Sequence, residues 1–224
     1  MIYHIRHGER SDLAAKTEED LSKIKSKSDP HLTEEGKRQA LETGKYFKSL
    51  METPEFENKK ICIITSPYYR CLQTTDKIIE GLGTDHLYNK TMYVEYAFQE
   101  WWSNLCNNEE CAKENLIFKN LTPEFKQELF SRASFTTNHF FSENDIWSNM
   151  IYPESYHLMM TRTILAIDHV GWLALQPEHQ DKIFLVVSHG TYAFALDAML
   201  NQTLKMASYC AIACMKVKAN ERRA

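Results

Sequence analysis

Positive charge gathers around a histidine in the first ten residues, MIYHIRHGER. Arg6 directly precedes His7, and Arg10 follows that histidine by three positions. The whole chain has a formal net charge of -4 and a pI near 6.1, so it has no global basic field to attract an anion. Any anion site must therefore be local. Taken alone, however, the tripeptide RHG is a weak signal, because three residues in this order often occur together by chance.

Two further polar clusters follow apolar runs of the same kind. The cluster SPYYRCLQT, which contains Arg70, comes after ICIIT. The cluster HGTY, which contains His189, comes after IFLVVS. Ligands of open α/β sheets bind at the carboxyl ends of the strands. The order of runs and clusters therefore places the chemistry of this chain at one edge of a sheet.

The elements that must position these clusters alternate along the chain. Apolar, β-branched runs predict buried strands at residues 2–5, 61–65 and 183–188, and a last strand at or near a sheet edge at 209–217. Apolar residues at helical spacing predict one helix capped by Thr33, a second beginning near Pro67, and a third over about 156–175. This alternation predicts an α/β fold with three layers, α/β/α, around a mainly parallel central sheet.

The length of 224 residues suits one domain with one substantial core, so we expect residues 1–224 to form a single domain. The region at about 100–153 has many aromatic residues and no clean strand period. It predicts a mostly helical insertion, which is either a lid over the site or a structural cap.

Composition argues against several classes of protein. The absence of a basic balance disfavours nucleic acid and anionic membranes as partners, and the apolar runs are too short to cross a bilayer. The six cysteines lack the spacing and nearby histidines of a zinc site, and we expect no signal peptide, because the first residues are strand-like. We therefore expect free thiols in a reducing compartment and a cytoplasmic localisation.

Several short motifs occur together in a recognisable order. They are RHGER, DPHLTEEGKRQA, SPYYRCLQT, an acidic residue in YVEYAFQEW, PES and SHG. Their order resembles that of the histidine phosphatase superfamily, the phosphoglycerate mutase-like proteins, over residues 2 to about 217. RHGER, with its second arginine, is most similar to the branch of the suppressors of T-cell receptor signalling. The tryptophan and asparagine that follow in the cofactor-dependent mutases are missing here.

The resemblance implies a phosphate clamp and a nucleophile. Arg6, Arg10 and Arg70 would bind the phosphoryl oxygens, because their planar, permanently charged groups match that anion. His7 would attack phosphorus and form a phosphohistidine, for which its ring must be neutral. The neighbouring arginines would lower the pKa of this ring. His189 would hydrogen-bond the phosphoryl oxygens from the opposite side, preferably as a cation in the transition state.

The resemblance also implies a general acid and no cofactor. Glu95 is our first choice for the group that protonates the leaving oxygen, and Glu100 is the alternative. No metal is expected, because three guanidiniums would supply the positive charge that magnesium supplies elsewhere. Glu154 and Ser155 match an ES pair of the family, and a helix N-terminus explains them without catalysis. Thr191 could contribute a hydroxyl, but the role that we expect for it is a helix cap.

Three functions follow from these expectations. The first is a metal-independent phosphatase whose substrate is a phosphotyrosine protein or a small phosphorylated metabolite. The second is a phosphatase fold kept as an idle scaffold or subunit of a larger assembly. The third is a phosphoglycerate mutase. The expected partners are the phosphorylated substrate and either a second copy of the chain or the subunits of a larger complex.

Overall fold

A computed structural model describes residues 1–24, 29–101, 103, 129, 131–137, 139–141, 153–192, 195–196 and 208–217. Six strands form one sheet: β1 Ile2–Arg6, β2 Lys60–Thr65, β3 Leu87–Val94, β4 Ser134–Thr137, β5 Lys182–Ser188 and β6 Ile212–Met215. The helices are α1 Ser11–Ala14, α2 Glu18–Ser22, α3 Glu34–Met51, α4 Tyr69–Leu82 and α5 Tyr156–Leu173. Short 3₁₀ turns lie at Pro54–Phe56, Thr84–His86, Tyr96–Phe98 and Pro177–His179.

The strand order across the sheet is β4-β3-β2-β5-β1-β6. All neighbouring pairs are parallel except β1 and β6, which are antiparallel. The prediction of an α/β fold around a mainly parallel sheet is confirmed, and the last predicted strand is an edge strand. The register pairs Arg6 with Ser188 and Thr65 with Val187. The carboxyl ends of the three central strands therefore lie side by side.

Helices cover both faces of the sheet. One face packs against α3 and α4 through side chains such as Phe47 and Leu72. The other face packs against α5 through Ala166 and Val170. Both sets of side chains are fully buried, and removal of this apolar surface from water is the main source of stability for such layers. The molecule thus has the three-layer architecture of a phosphoglycerate mutase-like fold.

The predicted helix boundaries agree with the structure to within two residues. The hydroxyl of Thr33 accepts a hydrogen bond from the Gly36 amide at 2.9 Å, which confirms the predicted cap of α3. Helix α4 begins at Tyr69, two residues beyond the predicted start near Pro67, and α5 ends at Leu173. The hydroxyl of Ser155 caps α5 by accepting from the Leu158 amide.

Two strands lie outside the sequence prediction. Asn89 and Lys90 in strand β3 have left-handed backbone conformations, and the register of β3 against β2 shifts there. The apolar residues of β3 therefore do not alternate regularly, as they would in an uninterrupted strand. Strand β4 has only four residues and occurs within the region 100–153, for which we expected mostly helix. Most of that region is outside the described residues, so the helical insertion stays a prediction.

No helix within the described ranges is both long enough and apolar enough to span a bilayer. The thiols of Cys62, Cys71, Cys210 and Cys214 are free, as expected. The other two cysteines fall outside the described residues.

Helices α3 and α4 approach each other closely at two glycines. A Cβ atom on Gly44 would lie 2.2 Å from the carbonyl oxygen of Ile78, and one on Gly81 would lie 2.3 Å from that of Leu41. Backbone atoms cannot move aside as a flexible side chain can. The absence of a side chain at these positions therefore sets the separation of the two helices.

We expect Gly44→Ala to lower the free energy of unfolding by about 1–3 kcal/mol, because overpacking outweighs the better helix propensity of alanine. Gly171→Ala on α5 is the matched control, since the nearest atoms to its new Cβ would be Val217 methyls at 4.0 Å. The control should leave stability unchanged or raise it by up to about 1 kcal/mol. Urea unfolding measures both, and equal effects of the two substitutions would contradict this account.

Candidate active site

Parallel strand pairing brings residues of three of the sequence motifs together at the carboxyl edge of the sheet. His7 directly follows β1, and His189 directly follows β5, the strand beside it. The two imidazole ring centroids lie 5.5 Å apart. Arg70, in the first turn of α4, reaches the same point and places Nη2 3.1 Å from His189 Nδ1. Three residues separated by up to 182 positions in the chain thus converge.

The ring of His7 is held with one nitrogen facing its own loop. His7 Nδ1 lies 2.8 Å from the carbonyl oxygen of Gly8. Since a carbonyl can only accept, Nδ1 must carry the hydrogen, and in the neutral ring the lone pair belongs to Nε2. The ring is 1% exposed. Burial and the neighbouring Arg70 and His189 hold the pKa of His7 well below its ordinary value.

Burial is a larger cause of this neutrality than the arginines that we expected to produce it. The loop that carries His7 is itself fixed from two sides. The Gly8 amide donates to the hydroxyl of Thr74 at 3.0 Å. A Cβ on Gly8 would lie 2.5 Å from the carbonyl oxygen of Gly36, so the loop rests directly on the first turn of α3. The position of the His7 ring therefore depends on glycine at residue 8.

Arg70 is a buried cation, only 1% exposed, with two carboxylate partners. Its Nη1 donates to Asp29 at 2.8 Å, and its Nη2 donates to Glu100 at 3.1 Å. Asp29 also accepts from the backbone amides of Tyr69 and Arg70. Burial alone would lower the pKa of Arg70, but Asp29 and Glu100 raise it above its ordinary value. Arg70 therefore stays charged in the site.

Glu100 lies within this cluster. Its Oε2 is 3.2 Å from His189 Nδ1, and its Oε1 accepts from the Thr191 hydroxyl at 2.9 Å and from the Trp101 amide at 3.0 Å. Burial alone would raise the pKa of Glu100, but His189 and Arg70 hold it well below its ordinary value. The carboxylate is 17% exposed, so it retains some access to solvent. Glu100 is ionised in the unliganded site.

Glu95, our first choice for the general acid, has different neighbours. Its side chain is fully buried, and Oε1 accepts from the amide of Phe140 at 2.8 Å. Its Oε2 has no hydrogen-bond partner among the described residues. Burial raises the pKa of Glu95 to about 8, against a smaller effect of the 139–141 backbone amides. Glu95 thus contacts the 139–141 segment, whereas Glu100 contacts Arg70 and His189.

His189 is fully buried and bonded at both nitrogens. Its Nε2 lies 2.8 Å from the hydroxyl of Ser66, and its Nδ1 faces Arg70 and Glu100. Burial lowers the pKa of His189 to about 4, because the effect of Arg70 adds to it and that of Glu100 only partly opposes it. The ring is therefore neutral at pH 7 in the unliganded site. We expected a cation, but only in the transition state.

The two arginines of the RHGER motif differ in their surroundings. The guanidinium carbon of Arg6 lies 4.5 Å from the ring centroid of Tyr209, and a Cβ on Gly190 would be 3.3 Å from Arg6 Nε. Burial lowers the pKa of Arg6, with a further decrease from Arg10 and Arg70. Arg10 instead forms a bidentate pair with Asp12, with distances of 3.0 and 2.6 Å.

Several contributors were not singled out as site residues from the sequence. They are Asp29, which binds Arg70, Ser66, which binds His189, and the aromatic residues Tyr68 and Tyr209. The rings of Tyr68 and His189 have centroids 5.0 Å apart, and those of Tyr209 and His7 are 5.9 Å apart. Asp29 and Ser66 begin two of the quoted motifs, DPHLT and SPYYR, so position within a motif was the available signal.

His7, Glu100 and His189 offer three atoms within 4.8 Å of one another, a spacing that a metal ion could use. The charge around them disfavours a cation, because Arg70 Nη2 lies 3.1 Å from both Glu100 Oε2 and His189 Nδ1. The same charge favours an anion. The arrangement can thus bind a compact, multiply charged anion beside a neutral imidazole with an available lone pair on Nε2.

This fold and this pair of histidines define a class of phosphate-handling proteins. The chain belongs to the histidine phosphatase superfamily (branch 1), whose family model matches residues 2–216. A search of curated protein sequences gives no significant match. The narrower similarity to the suppressors of T-cell receptor signalling stays a prediction.

Solved structures with a similar fold cover 94% of this chain. The ecdysone phosphate phosphatase from Bombix mori, in complex with tungstate, has a TM-score of 0.61, 14% identity and 86% of its chain covered. A mycobacterial glucosyl-3-phosphoglycerate phosphatase has a TM-score of 0.53, 15% identity and 87% coverage. An Entamoeba histolytica phosphoserine phosphatase mutant with phosphoserine has a TM-score of 0.50, 18% identity and 87% coverage. These similarities show a shared fold.

The opposite pKa shifts of the two glutamates predict opposite effects on stability. The folded pKa of Glu95 exceeds the ordinary value, so its contribution to stability is present at low pH and is lost as pH rises from about 4.5 to 8. Glu95→Gln should therefore raise the free energy of unfolding at pH 8 by about 1–3 kcal/mol. Glu100→Gln, whose folded pKa is lowered, should decrease it. Urea unfolding at pH 5 and 8 measures both variants, and a loss of stability in Glu95→Gln at pH 8 would refute the proposed burial effect.

Proposed function

We propose that this chain is a metal-independent phosphatase that hydrolyses phosphomonoesters through a phosphohistidine on His7. The observation that carries the proposal is the orientation of this ring. Its Nδ1 is committed to the Gly8 carbonyl, so the lone pair of Nε2 is available beside His189, 5.5 Å away between ring centroids. A neutral, preoriented imidazole next to a cationic pocket is what nucleophilic attack on a phosphate dianion requires.

Arg70 and Arg6 supply the positive charge of this pocket. The charge of a phosphoryl group in transfer spreads over three oxygens, and fixed guanidiniums stabilise it without reorganisation. Arg70 is held by Asp29 through Nη1, so the site keeps this cation in place when Nη2 leaves Glu100 for a phosphoryl oxygen. Arg10 can join only by leaving Asp12, and we expect the bound anion to compete for it.

We assign proton transfer to Glu100 instead of Glu95, because Glu100 is the one of these two glutamates whose carboxylate contacts Arg70 and His189. A bound dianion would draw Arg70 Nη2 away from Glu100 and would add negative charge to the site. Both changes raise the pKa of Glu100 and of His189. Substrate would therefore bind with uptake of protons. Glu100 then carries the proton that the leaving oxygen needs, and His189 becomes the cation expected in the transition state.

The two halves of the reaction balance on the same groups. In the first, His7 Nε2 bonds to phosphorus as the ester P–O bond breaks, and the Glu100 carboxyl gives its proton to the departing oxygen. In the second, the Glu100 carboxylate takes a proton from water, whose oxygen bonds to phosphorus. The N–P bond breaks, and its electron pair returns to Nε2. The products are an alcohol or phenol and inorganic phosphate.

Two kinds of observation bear on the substrate class. The names of the similar structures mention ecdysone phosphate, glucosyl-3-phosphoglycerate and phosphoserine, and these favour a small phosphorylated metabolite. The RHGER motif favours a phosphotyrosine protein, and Tyr209 beside His7 could stack on an aromatic leaving group. We keep both classes, together with a cytoplasmic localisation, as proposals.

His7→Ala should lower the rate of hydrolysis of an aryl phosphate by at least about 10³-fold, because the group that bonds to phosphorus is lost. Wild-type protein quenched during turnover of a ³²P-labelled ester should carry acid-labile, alkali-stable label at His7. Glu95→Gln should keep both the label and the turnover. Equal, negligible turnover in wild type and His7→Ala would instead support the scaffold alternative.

Tungstate binding should be accompanied by proton uptake at about pH 6.5, since the anion raises the pKa of Glu100 and His189. Calorimetry in two buffers of different ionisation enthalpy measures the number of protons. Glu100→Gln should take up about one proton fewer than wild type, and Glu95→Gln should match wild type. If Glu100→Gln takes up as many protons as wild type, Glu100 is not the group that becomes protonated.

A further inference from the structure

Glu100 is carried by a turn that has little structure of its own. The turn follows β3 and contains only the short 3₁₀ segment Tyr96–Phe98 before it reaches Glu100. General acid catalysis requires the proton donor to lie within hydrogen-bond reach of the departing oxygen. The position of the Glu100 carboxyl therefore depends on what binds the backbone of this turn.

A guanidinium from the opposite layer binds that backbone. Arg162, two turns into α5, is 3% exposed. Its Nη1 donates to the carbonyl oxygens of Ala97 at 3.0 Å and Gln99 at 2.9 Å. Its Nη2 lies 3.4 Å from the carbonyl oxygen of Glu100 itself. One side chain thus contacts three carbonyls of the turn that carries the proton donor.

The guanidinium is held on its other edge by a second carboxylate. Glu154 accepts from Arg162 Nε at 2.8 Å and from Nη2 at 2.9 Å, and it is 4% exposed. The backbone carbonyl of Glu154 also accepts from Trp101 Nε1 at 3.0 Å. Residues on both sides of Glu100 are therefore tied to this pair. Tyr192, three positions beyond His189, adds a hydroxyl that donates to the Ala97 carbonyl.

We propose that Arg162, held by Glu154, is a positioning residue that places the Glu100 carboxyl for proton transfer to the leaving group. The proposal rests on the proposed function, in which Glu100 is the proton donor. The contacts of Arg162 to this turn are made to backbone carbonyls. Arg162 acts through the main chain of residues 97–100.

Arginine is needed at this position for a geometric reason. Its planar group presents five N–H donors in a fixed arrangement, and three nitrogens are used here at once. A lysine would keep the charge opposite Glu154 but would supply one nitrogen in place of three. Arg162→Lys therefore preserves the buried ion pair while it removes most contacts to the turn.

The dependence on leaving group separates a positioning role from a structural one. An alkyl phosphate needs a proton on its departing oxygen, whereas a dinitrophenyl phosphate releases a stable anion without one. We expect Arg162→Lys to lower kcat/KM for the alkyl ester by about 30-fold and to change kcat/KM for the dinitrophenyl ester by less than about 3-fold, because kcat/KM reports only the first half of the reaction, in which the leaving group departs. Because the phosphate clamp is intact, the dissociation constant for tungstate should stay within about 3-fold of that of the wild type.

Two controls complete the test. Val170→Ala removes a buried α5 side chain of the core, and any loss of folded protein should lower the rates on both esters equally. Glu100→Gln should show the same leaving-group dependence as Arg162→Lys, but larger. The double variant should be no slower on the alkyl ester than Glu100→Gln alone, since the two residues act as one unit.

Each outcome decides between the proposals. An equal loss on both esters in Arg162→Lys, as in Val170→Ala, would show a structural role and overturn the inference. Leaving-group dependence in Glu100→Gln but not in Arg162→Lys would overturn this inference and leave the proposed function intact. No dependence in Glu100→Gln would overturn both. If Arg162→Lys does not fold, Glu154→Gln replaces it, with an expected 3- to 10-fold loss confined to the alkyl ester.

Discussion

The electrostatics of this site depend on one permanently charged side chain that is buried away from solvent. Arg70 is 1% exposed and lies 3.1 Å from both Glu100 and His189. It helps to keep the rings of His7 and His189 neutral, and it keeps Glu100 ionised. An isolated buried charge would be costly, and the pair with Asp29 at 2.8 Å makes it tolerable. The site thus stores a cation that an incoming anion can use.

The layered fold brings the residues of this site together and supplies partners for its buried charges. Parallel strands end at the same edge, so His7 after β1 and His189 after β5 lie next to each other. The two faces of the sheet then contribute separately. Helix α4 on one face delivers Arg70, and α5 on the other delivers Arg162 to the turn that carries Glu100. Each buried arginine is matched by its own buried carboxylate, Asp29 or Glu154.

Two glutamates five residues apart illustrate how surroundings decide the state of a carboxyl. Both are largely removed from water, which by itself raises a carboxyl pKa. Glu95 has only backbone amides to oppose this effect and has a pKa of about 8. Glu100 has Arg70 and His189, and its pKa is lowered. A raised pKa alone would favour Glu95 as an acid. We propose Glu100 because it is the glutamate that contacts Arg70 and His189, and protons move only over hydrogen-bond distances.

The sequence alone determined the mainly parallel sheet, its central strands and the helix cap at Thr33, because apolar periodicity and local capping are properties of residues that are near one another in the chain. The family motifs could likewise be read from short stretches of sequence. It also predicted Arg6, His7, Arg70 and His189 as members of one site. The irregular strand β3 was missed because its register shift breaks the period. Only the tertiary structure decided between Glu95 and Glu100 as partners of Arg70, and only it related Arg162 to the site. The environments of Glu100 and Arg162 depend on contacts with residues that are distant in sequence. The spacing of residues along the chain does not specify those contacts.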